Sequence, residues 1–291
     1  MNDATATFTA LRSRLHGIAY RMLGSVSESE DVVQDVWISW NGADKAAIDN
    51  AEAWLVATTT RRAIDRLRAA KARREQYTGI WLPEPMLTDD SDSPEALQEL
   101  SSDVSVAFLL LLERLGPEAR AAFLLREVFD TDYPEIAQAI GKSEAACRQL
   151  VHRAKEQLRD ERPRHRVPAD AHRALMHRFA TALSTGNFPA IRSMLAADAT
   201  LMGDGGGKVT SFPKPMVGGQ RIAQLFYAAN LRYKYGLQLR LAMINGEVAL
   251  LRFLNGHLES VQTYVTDGET ISQIHIQRNP DKLERILPAV H

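Results

Sequence analysis

Residues 133–154 read YPEIAQAIGKSEAACRQLVHRA, which is the pattern of two short helices joined by a tight turn. Gly141 tolerates the positive φ that such a turn requires, Ser143 can cap the second helix, and Ala137 is small enough for the helices to touch. The residues expected between the helices are Ile136, Ile140, Cys147 and Leu150. The pattern predicts a helix-turn-helix, with an ordinary helical hairpin as the alternative.

The second helix of this motif leaves a polar face for a DNA major groove. The outward residues are Glu144, Ala145, Arg148, Gln149, His152 and Arg153. Arg148 and Gln149 can reach base edges, whereas His152 and Arg153 are better placed for backbone phosphates. We therefore interpret this face as a candidate DNA-reading surface.

The charge distribution agrees with this interpretation, although the formal net charge is only −1. Residues 61–74 contain seven Lys or Arg and one acid, and residues 142–166 contain eight Lys or Arg and four acids. Two basic clusters in a nearly neutral chain indicate local binding surfaces, with solvated helix faces as the alternative.

Composition limits the class of protein. A chain of 291 residues suits two or three compact units. The single cysteine, Cys147, excludes an intrachain disulfide and a cysteine-rich zinc site. We find no long apolar run and no signal-peptide core, so we expect a cytoplasmic protein without a membrane partner. We also expect no metal and no cofactor.

The first 75 residues have helical periodicity and predict three helices. Gly24 is expected to end the first helix, and residues 27–30, SESE, to start the second as a capping box. The outward face of the second helix is formed by Asp31, Gln34 and Asp35. The third helix has a mixed basic face, which includes Trp54, Thr58, Arg61, Arg62, Asp65 and Arg68.

The later part of the chain changes character twice. Residues 81–85, WLPEP, cannot form regular helix, and residues 89–94 are acidic turn material, which together indicate a linker. After residue 168 one amphipathic helix is followed by period-two alternation, with Asn-Gly or Asp-Gly pairs at 245, 255 and 267. This predicts a meander with strands at about 237–244, 247–254, 257–265 and 270–278.

These motifs resemble the RNA polymerase sigma factors. Residues 27–37 are similar to the sigma segment that docks on the largest core polymerase subunit, and residues 53–68 to the helix that reads and melts the −10 element. The helix-turn-helix resembles the domain that reads the −35 element. The short spacing resembles the extracytoplasmic-function (ECF) class of the sigma-70 family. The resemblance implies core polymerase and promoter DNA as partners.

Three further motifs resemble the ECF group with a fused SnoaL-like C-terminal domain, which implies an α+β fold of the cystatin-like cone type. They are residues 81–85, the DGGGK loop at 204–208 and the NPDKL segment at 279–283. We hypothesise that the 204–208 loop lies near the 81–85 segment and holds the sigma domains in a defined arrangement, and that the 279–283 segment tunes activity in cis. The candidate regulatory residues are Trp81, Pro83, Pro85, Asp204, Gly205, Gly206, Gly207, Lys208, Asn279, Pro280, Asp281, Lys282 and Leu283.

The expected architecture is multi-domain. Two all-α sigma domains, a region 2 helical bundle at 1–77 and a region 4 helix-turn-helix at 103–166, are joined by a linker at 78–102. The SnoaL-like domain occupies 167–291. Its pocket leaves open an unknown small ligand or a protein regulator as a further partner.

Two rival interpretations remain. A one-component regulator, with a helix-turn-helix and a ligand-binding domain, leaves residues 1–75 unexplained. An enzyme on the SnoaL-like fold would need a general base and an oxyanion donor. Asp204, His257, Tyr264, Asp267 and His275 are available, but they form no recognisable dyad in the sequence, so we predict no catalytic residues.

Overall fold

The computed structural model describes residues 3–74, 76–88, 104–159 and 167–286. The chain divides into two compact units. The first contains Met1–Glu75 and Phe108–Arg162, and the second contains Gln76–Ala107 and Pro163–His291. The acidic turn expected at 89–94 lies outside the described residues.

The first unit is helical throughout its regular structure. Its helices are α1 (Asp3–Leu23), α2 (Val26–Gly42), α3 (Ala51–Arg74), α4 (Val106–Leu112), α5 (Pro117–Glu127), α6 (Tyr133–Ile140) and α7 (Glu144–Leu158), with a 3₁₀ turn at Lys45–Ala47. α4 begins just before the unit boundary. The apolar stripes predicted from the sequence are buried, including Leu15, Ile18, Val32, Val36 and Leu67. The three N-terminal helices are therefore confirmed.

The capping box predicted at residues 27–30 is wrong. Helix α2 begins at Val26, and its N-cap is Ser25, whose hydroxyl accepts a hydrogen bond from the Glu28 amide at 3.3 Å. Gly24 adopts φ +65° directly after α1, so one residue separates the end of α1 from the cap of α2. Ser25 and Ser27 both suit an N-cap, and the position at which α1 ends decided that Ser25 is used.

The helix-turn-helix prediction is confirmed by α6 and α7. Gly141 ends α6 in the left-handed region with φ +70°, and the hydroxyl of Ser143 accepts from the Ala146 amide at 3.2 Å. Ile136 and Cys147 are fully buried, and burial raises the pKa of the Cys147 thiol. The cysteine therefore packs as a small apolar side chain.

The second unit is an α+β domain. Its helices are α8 (Ala169–Thr185), α9 (Phe188–Ser193), α10 (Gly219–Tyr233) and α11 (Pro280–Leu283), and its strands are β1 (Leu195–Asp204), β2 (Met216–Val217), β3 (Leu237–Ile244), β4 (Glu247–Leu254), β5 (His257–Thr266) and β6 (Ile271–Gln277). The order in the sheet is β2-β1-β6-β5-β4-β3. β1 runs parallel to β6, and the other neighbours are antiparallel. The four-stranded meander is confirmed. Strand β1, which ends at the buried Asp204, was not predicted.

The two faces of this sheet are covered by different parts of the chain. Helices α8 and α10 pack on one face, where Phe179 meets Phe226 and Tyr264 edge-on at 5.9 and 5.6 Å between ring centroids. The opposite face is covered by Leu87 from the linker and by Leu283 and Ile286 from the C-terminal segment. The linker and the C-terminal segment therefore complete the core of the second unit.

His275 lies on the linker-covered face and is almost completely buried. It alternates along β6 with Ile274 and Ile276, which belong to the helix-covered core. Among the described residues, its Nε2 has no hydrogen-bond partner. Burial lowers the pKa of His275 to about 4.

This buried imidazole predicts a loss of stability in acid. The unfolded histidine titrates near pH ~6.5, so the unfolded state takes up the proton first as the pH falls. The free energy of unfolding should therefore fall between pH ~6.5 and pH 4 by on the order of 2 kcal/mol through this residue. We would measure urea unfolding of wild type and His275→Gln by circular dichroism across this range. Parallel pH curves for the two proteins would contradict the prediction.

Candidate nucleic-acid and polymerase surfaces and the linker clamp

The acidic face of α2 is held by the basic helix α3. Arg66 lies 3.2 Å from carboxylate oxygens of both Asp31 and Asp35, and Arg62 lies 3.7 Å from Asp35. Partial burial opposes the charge of Arg66, but the two carboxylates outweigh it and raise the pKa of the guanidinium. Gln34, between the two acids, is exposed. The structure thus places all three residues predicted to bind polymerase on one face of α2.

The predicted −10 face of α3 begins with an aromatic pair. Trp54 packs against Trp40 with 5.5 Å between ring centroids, and the hydroxyl of Thr58 donates to the Trp54 carbonyl at 2.8 Å. Trp54 is half-buried by this contact and still has exposed surface. Arg62, about two turns along α3 from Trp54, donates to the Ser39 hydroxyl at 2.6 Å.

Two other basic residues of α3 contact the helix-turn-helix domain. Arg61 donates to the carbonyls of Gln138 and Ala139 at 2.8 and 3.1 Å, at the C-terminal end of α6. This end carries the negative pole of the helix dipole, which attracts a guanidinium. Arg68 binds Asp65 at 3.1 Å and Glu118 at 2.8 Å. Arg61 and Arg68 therefore have internal acceptors in this arrangement.

The predicted −35 face of α7 is largely exposed. Ala145, Arg148, Gln149, His152 and Arg153 are exposed. Glu144 is half-buried and accepts from Arg148 at 3.0 Å. The guanidinium of Arg148 also lies 4.7 Å from the centroid of the Tyr133 ring. These contacts hold Arg148 at the N-terminal end of α7.

The three motifs expected to regulate the protein meet at the carboxylate of Asp204, which is fully buried at the end of β1. It accepts from the Tyr77 hydroxyl at 2.7 Å, the Leu82 amide at 2.9 Å and the Lys282 ammonium at 2.7 Å. The side-chain amide of Gln277 adds a bond at 3.3 Å. We call Tyr77, Leu82, Asp204, Gln277 and Lys282 the linker clamp.

The flanking residues extend the linker clamp. Lys282 also donates to the Leu82 carbonyl at 2.6 Å, and its ammonium lies 4.6 Å from the Trp81 ring centroid. Asn279 donates to the Tyr77 hydroxyl at 2.9 Å, and Lys208 binds Asp281 at 2.6 Å. Pro83 and Pro85 are buried. Burial, together with the hydrogen bond to Asp204, raises the pKa of Tyr77 far above its ordinary value.

The glycines after Asp204 allow this close approach. A Cβ on Gly205 would lie 2.2 Å from the Val209 carbonyl oxygen, and one on Gly206 would lie 2.3 Å from the Asn279 side chain. Gly206 also adopts φ +62°. A side chain at either position would displace the loop, so the sequence needs glycine here.

Tyr77 and Gln277 are part of the clamp but were not predicted. Tyr77 precedes the WLPEP motif, and Gln277 ends β6, and neither position has a local sequence pattern that distinguishes it. The far end of the linker is held by another residue that the sequence analysis missed. The Asn245 side chain donates to the Val104 carbonyl at 2.8 Å and accepts from the Met86 amide at 3.1 Å.

The residues considered for catalysis do not assemble into one site. Asp204 belongs to the linker clamp, the Tyr264 hydroxyl donates to Gln262 at 2.8 Å, and Asp267 accepts from the amides of its own turn. His257 is exposed, and His275 is buried on the linker-covered face. Within the described ranges, no group of three or more His, Cys, Asp or Glu side chains could hold a metal ion. No described helix is long and apolar enough to cross a membrane.

Family models match both halves of the first unit: sigma-70 region 2 at residues 7–73 and sigma-70 region 4 at residues 105–158. The chain is 36% identical over 245 residues to the ECF RNA polymerase sigma factor SigJ of Mycobacterium tuberculosis, covering 83% of this chain and 78% of SigJ. It is 29% identical over 285 residues to the probable ECF sigma factor SigI of the same species, covering 97% of this chain and 96% of SigI.

A solved structure agrees along nearly the whole chain. The crystal structure of M. tuberculosis SigJ matches with a TM-score of 0.77 and 31% identity, over 96% of this chain and 98% of the other. The chain therefore belongs to the ECF RNA polymerase sigma factor family. It is an alternative sigma factor with two helical sigma domains, followed by a C-terminal α+β domain.

The buried charge in the linker clamp predicts a large effect of one substitution. Asp204→Asn keeps the side-chain shape but leaves the Lys282 ammonium without its carboxylate. The free energy of unfolding of the second unit should fall by about 3 kcal/mol, as expected when one partner of a buried ion pair is removed. Amide hydrogen exchange at Leu82 should accelerate because its acceptor is weakened.

The matched control is Asp198→Asn, an exposed acid on the same strand. It should change stability by less than about 0.5 kcal/mol. Equal effects of the two substitutions, or unchanged exchange at Leu82, would contradict the structural role assigned to Asp204.

Proposed function

We propose that the acidic face of α2, formed by Asp31, Gln34 and Asp35, binds core RNA polymerase in the cytoplasm. This proposal is supported by the exposed position of Gln34 and by the side chain of Asp31, which is 60% exposed. A basic polymerase surface would replace Arg66 as the partner of the two carboxylates. The released Arg66 would then be available to nucleic acid.

We propose that α3 contacts the −10 element through Trp54, Thr58, Arg61, Arg62, Asp65 and Arg68. An unpaired base stacked on the exposed part of Trp54 would gain ~1–3 kcal/mol. The arginines would bind phosphates on the same helix face. Arg61 and Arg68 would first have to leave the α6 carbonyls and Glu118. Promoter binding by α3 thus competes with its packing against the helix-turn-helix domain.

We propose that α7 reads the −35 element through Glu144, Ala145, Arg148, Gln149, His152 and Arg153. The observation that carries this proposal is their common position on the outward face of a capped helix that follows a left-handed turn. Arg148 lies near the N-terminal end of α7, the end that approaches base edges in helix-turn-helix proteins. Arg153 lies more than one turn further along and is expected to bind phosphate.

The two arginines give opposite predictions. Arg148→Ala should cost ~1–3 kcal/mol on the specific −35 sequence and should lose most of the preference over a scrambled sequence. Arg153→Ala should weaken binding to both sequences evenly and reduce the salt dependence by about one released counterion. Fluorescence anisotropy with duplexes at several salt concentrations measures both quantities. An even loss with Arg148→Ala would assign this residue to phosphate instead.

We further propose that the SnoaL-like domain regulates transcription in cis by holding the linker between the sigma domains. Supporting this, the linker is fastened near its start by Asp204 and Lys282 and at its end by Asn245. If it were free, the linker at 78–102 could span roughly 85 Å. Fastening both ends removes that reach, so the domain limits the separations that region 2 and region 4 can adopt.

This mode of action is our preferred interpretation over two others. A one-component regulator would bind promoter DNA without needing core polymerase. An enzyme would need reacting groups that converge on a substrate, and the five residues considered for catalysis do not assemble into one site. We therefore propose that the protein acts in promoter-dependent initiation with core polymerase and not as an enzyme.

Transcription reconstituted with core polymerase tests both the initiation and its regulation. Wild type should start transcripts at a cognate promoter, and Lys282→Ala should raise the output several-fold because the linker clamp loses its cation. Deletion of the residues after 278 should also raise the transcript output. Deletion after 168 removes the regulatory domain and its support of the linker together. Lys214→Ala, an exposed lysine outside the clamp, is the matched control.

The possible outcomes separate the proposals. Failure of wild type to bind core polymerase or to start transcription would favour the one-component regulator. Transcription that is unchanged in Lys282→Ala and in both truncations would remove the regulatory role while leaving the sigma function intact.

A further inference from the structure

The second unit contains a cavity of about 280 Å³ on the helix-covered face of the sheet, opposite the face that carries the linker clamp. Its apolar lining comes from Phe212, Leu225, Phe226 and Ile276. The volume lies just below the range of ~300–1,000 Å³ for drug-sized ligands. The cavity therefore suits a small molecule with a compact apolar body.

The polar lining of this cavity has an excess of positive charge. Three arginines, Arg232, Arg252 and Arg278, line it together with one acid, Glu259. Glu259 lies 2.5 Å from Arg278 and 3.6 Å from Arg252, so a single carboxylate orients two guanidiniums. The lining thus has a net charge of +2 (three arginines less one glutamate).

An aromatic ring keeps two of these arginines in place. The guanidiniums of Arg232 and Arg252 lie 5.4 and 5.6 Å from the centroid of the Tyr233 ring. Arg232 is exposed at the mouth of the cavity, whereas the Arg252 side chain is only 16% exposed. The positive charge therefore extends from the mouth inward.

Two buried polar atoms at the cavity have hydrogen-bonding capacity that the described part of the chain does not use. They are the hydroxyl of Ser211 and the Nε of Arg278. Buried polar groups in folded proteins are normally satisfied, and an unsatisfied donor costs about 1–3 kcal/mol. Both atoms have almost no accessible surface, so a ligand in the cavity would be held by the exposed parts of the arginine side chains.

We propose that this cavity is a binding site for a small organic carboxylate. The carboxylate is held by Arg232, Arg252 and Arg278, and the apolar body lies against Phe212, Leu225 and Phe226. Guanidinium groups match the planar, bidentate geometry of a carboxylate. Because part of the lining is apolar, an organic carboxylate fits this cavity better than a simple inorganic anion does. The proposal concerns ligand binding alone and does not depend on regulation in cis.

Three probes of equal shape and different charge test the site on the full-length protein: 4-phenylbutanoate, 4-phenylbutan-1-ol and 4-phenylbutylamine. Isothermal titration calorimetry should show binding of the carboxylate about tenfold or more tighter than that of the alcohol, because charge-assisted hydrogen bonds are lost. The amine should bind more weakly than the alcohol. Equal affinity for all three probes, or no binding of the carboxylate, would overturn the proposal.

Substitutions locate the binding on this cavity. Arg232→Gln and Arg252→Gln should each weaken binding of 4-phenylbutanoate about fivefold, because each removes one guanidinium from the cavity. Arg221→Gln is the matched control, since this exposed arginine lies on α10 but does not line the cavity. Circular dichroism verifies that the three variants are folded. An equal loss in Arg221→Gln, or no loss in the two cavity variants, would place the carboxylate elsewhere and overturn the proposal.

Discussion

The buried carboxylate of Asp204 is the constraint on which the second unit depends. A carboxylate without solvent is stable only when cations and hydrogen-bond donors surround it. Its partners come from Tyr77 and the linker, from the end of β6 and from α11, so the charge is compensated only when these segments are assembled. The same assembly brings Leu87, Leu283 and Ile286 onto the sheet, which couples an electrostatic requirement to the completion of an apolar core.

A related constraint operates in the first unit, where one basic helix serves several partners. The guanidiniums of α3 bind carboxylates on α2, carbonyls at the end of α6 and Glu118 on α5. Polymerase and DNA offer the same kinds of acceptor, namely carboxylates and phosphates. Exchange of one acceptor for another is possible at small net cost because both arrangements satisfy the same donors. Such an exchange would allow a chain with a net charge of −1 to carry the nucleic-acid surface proposed for α3.

The two faces of the sheet in the second unit have different neighbours. One face packs against α8 and α10 and leaves the arginine-lined cavity, while the other is closed by the linker and the C-terminal segment. Alternation along β6 makes this separation possible, because Ile274 and Ile276 point to one side and His275 and Gln277 to the other. A bound ligand and the linker would therefore contact the same strand from opposite sides.

Local patterns in the sequence alone determined the helix-turn-helix, the three N-terminal helices and the meander, because helical periodicity, turn glycines and alternation act over a few residues. The family resemblance of the motifs at 81–85, 204–208 and 279–283 also indicated that these three segments act in one regulatory arrangement. Only the tertiary structure decided that Ser25 caps α2, that Tyr77, Gln277 and Asn245 hold the linker, and that Arg61 contacts the end of α6. The cap of α2 is a local contact, and the end of the preceding helix selected it. The other interactions join residues up to 202 positions apart, and no local pattern records such pairs, because the free energy that selects them arises only when distant groups are buried together.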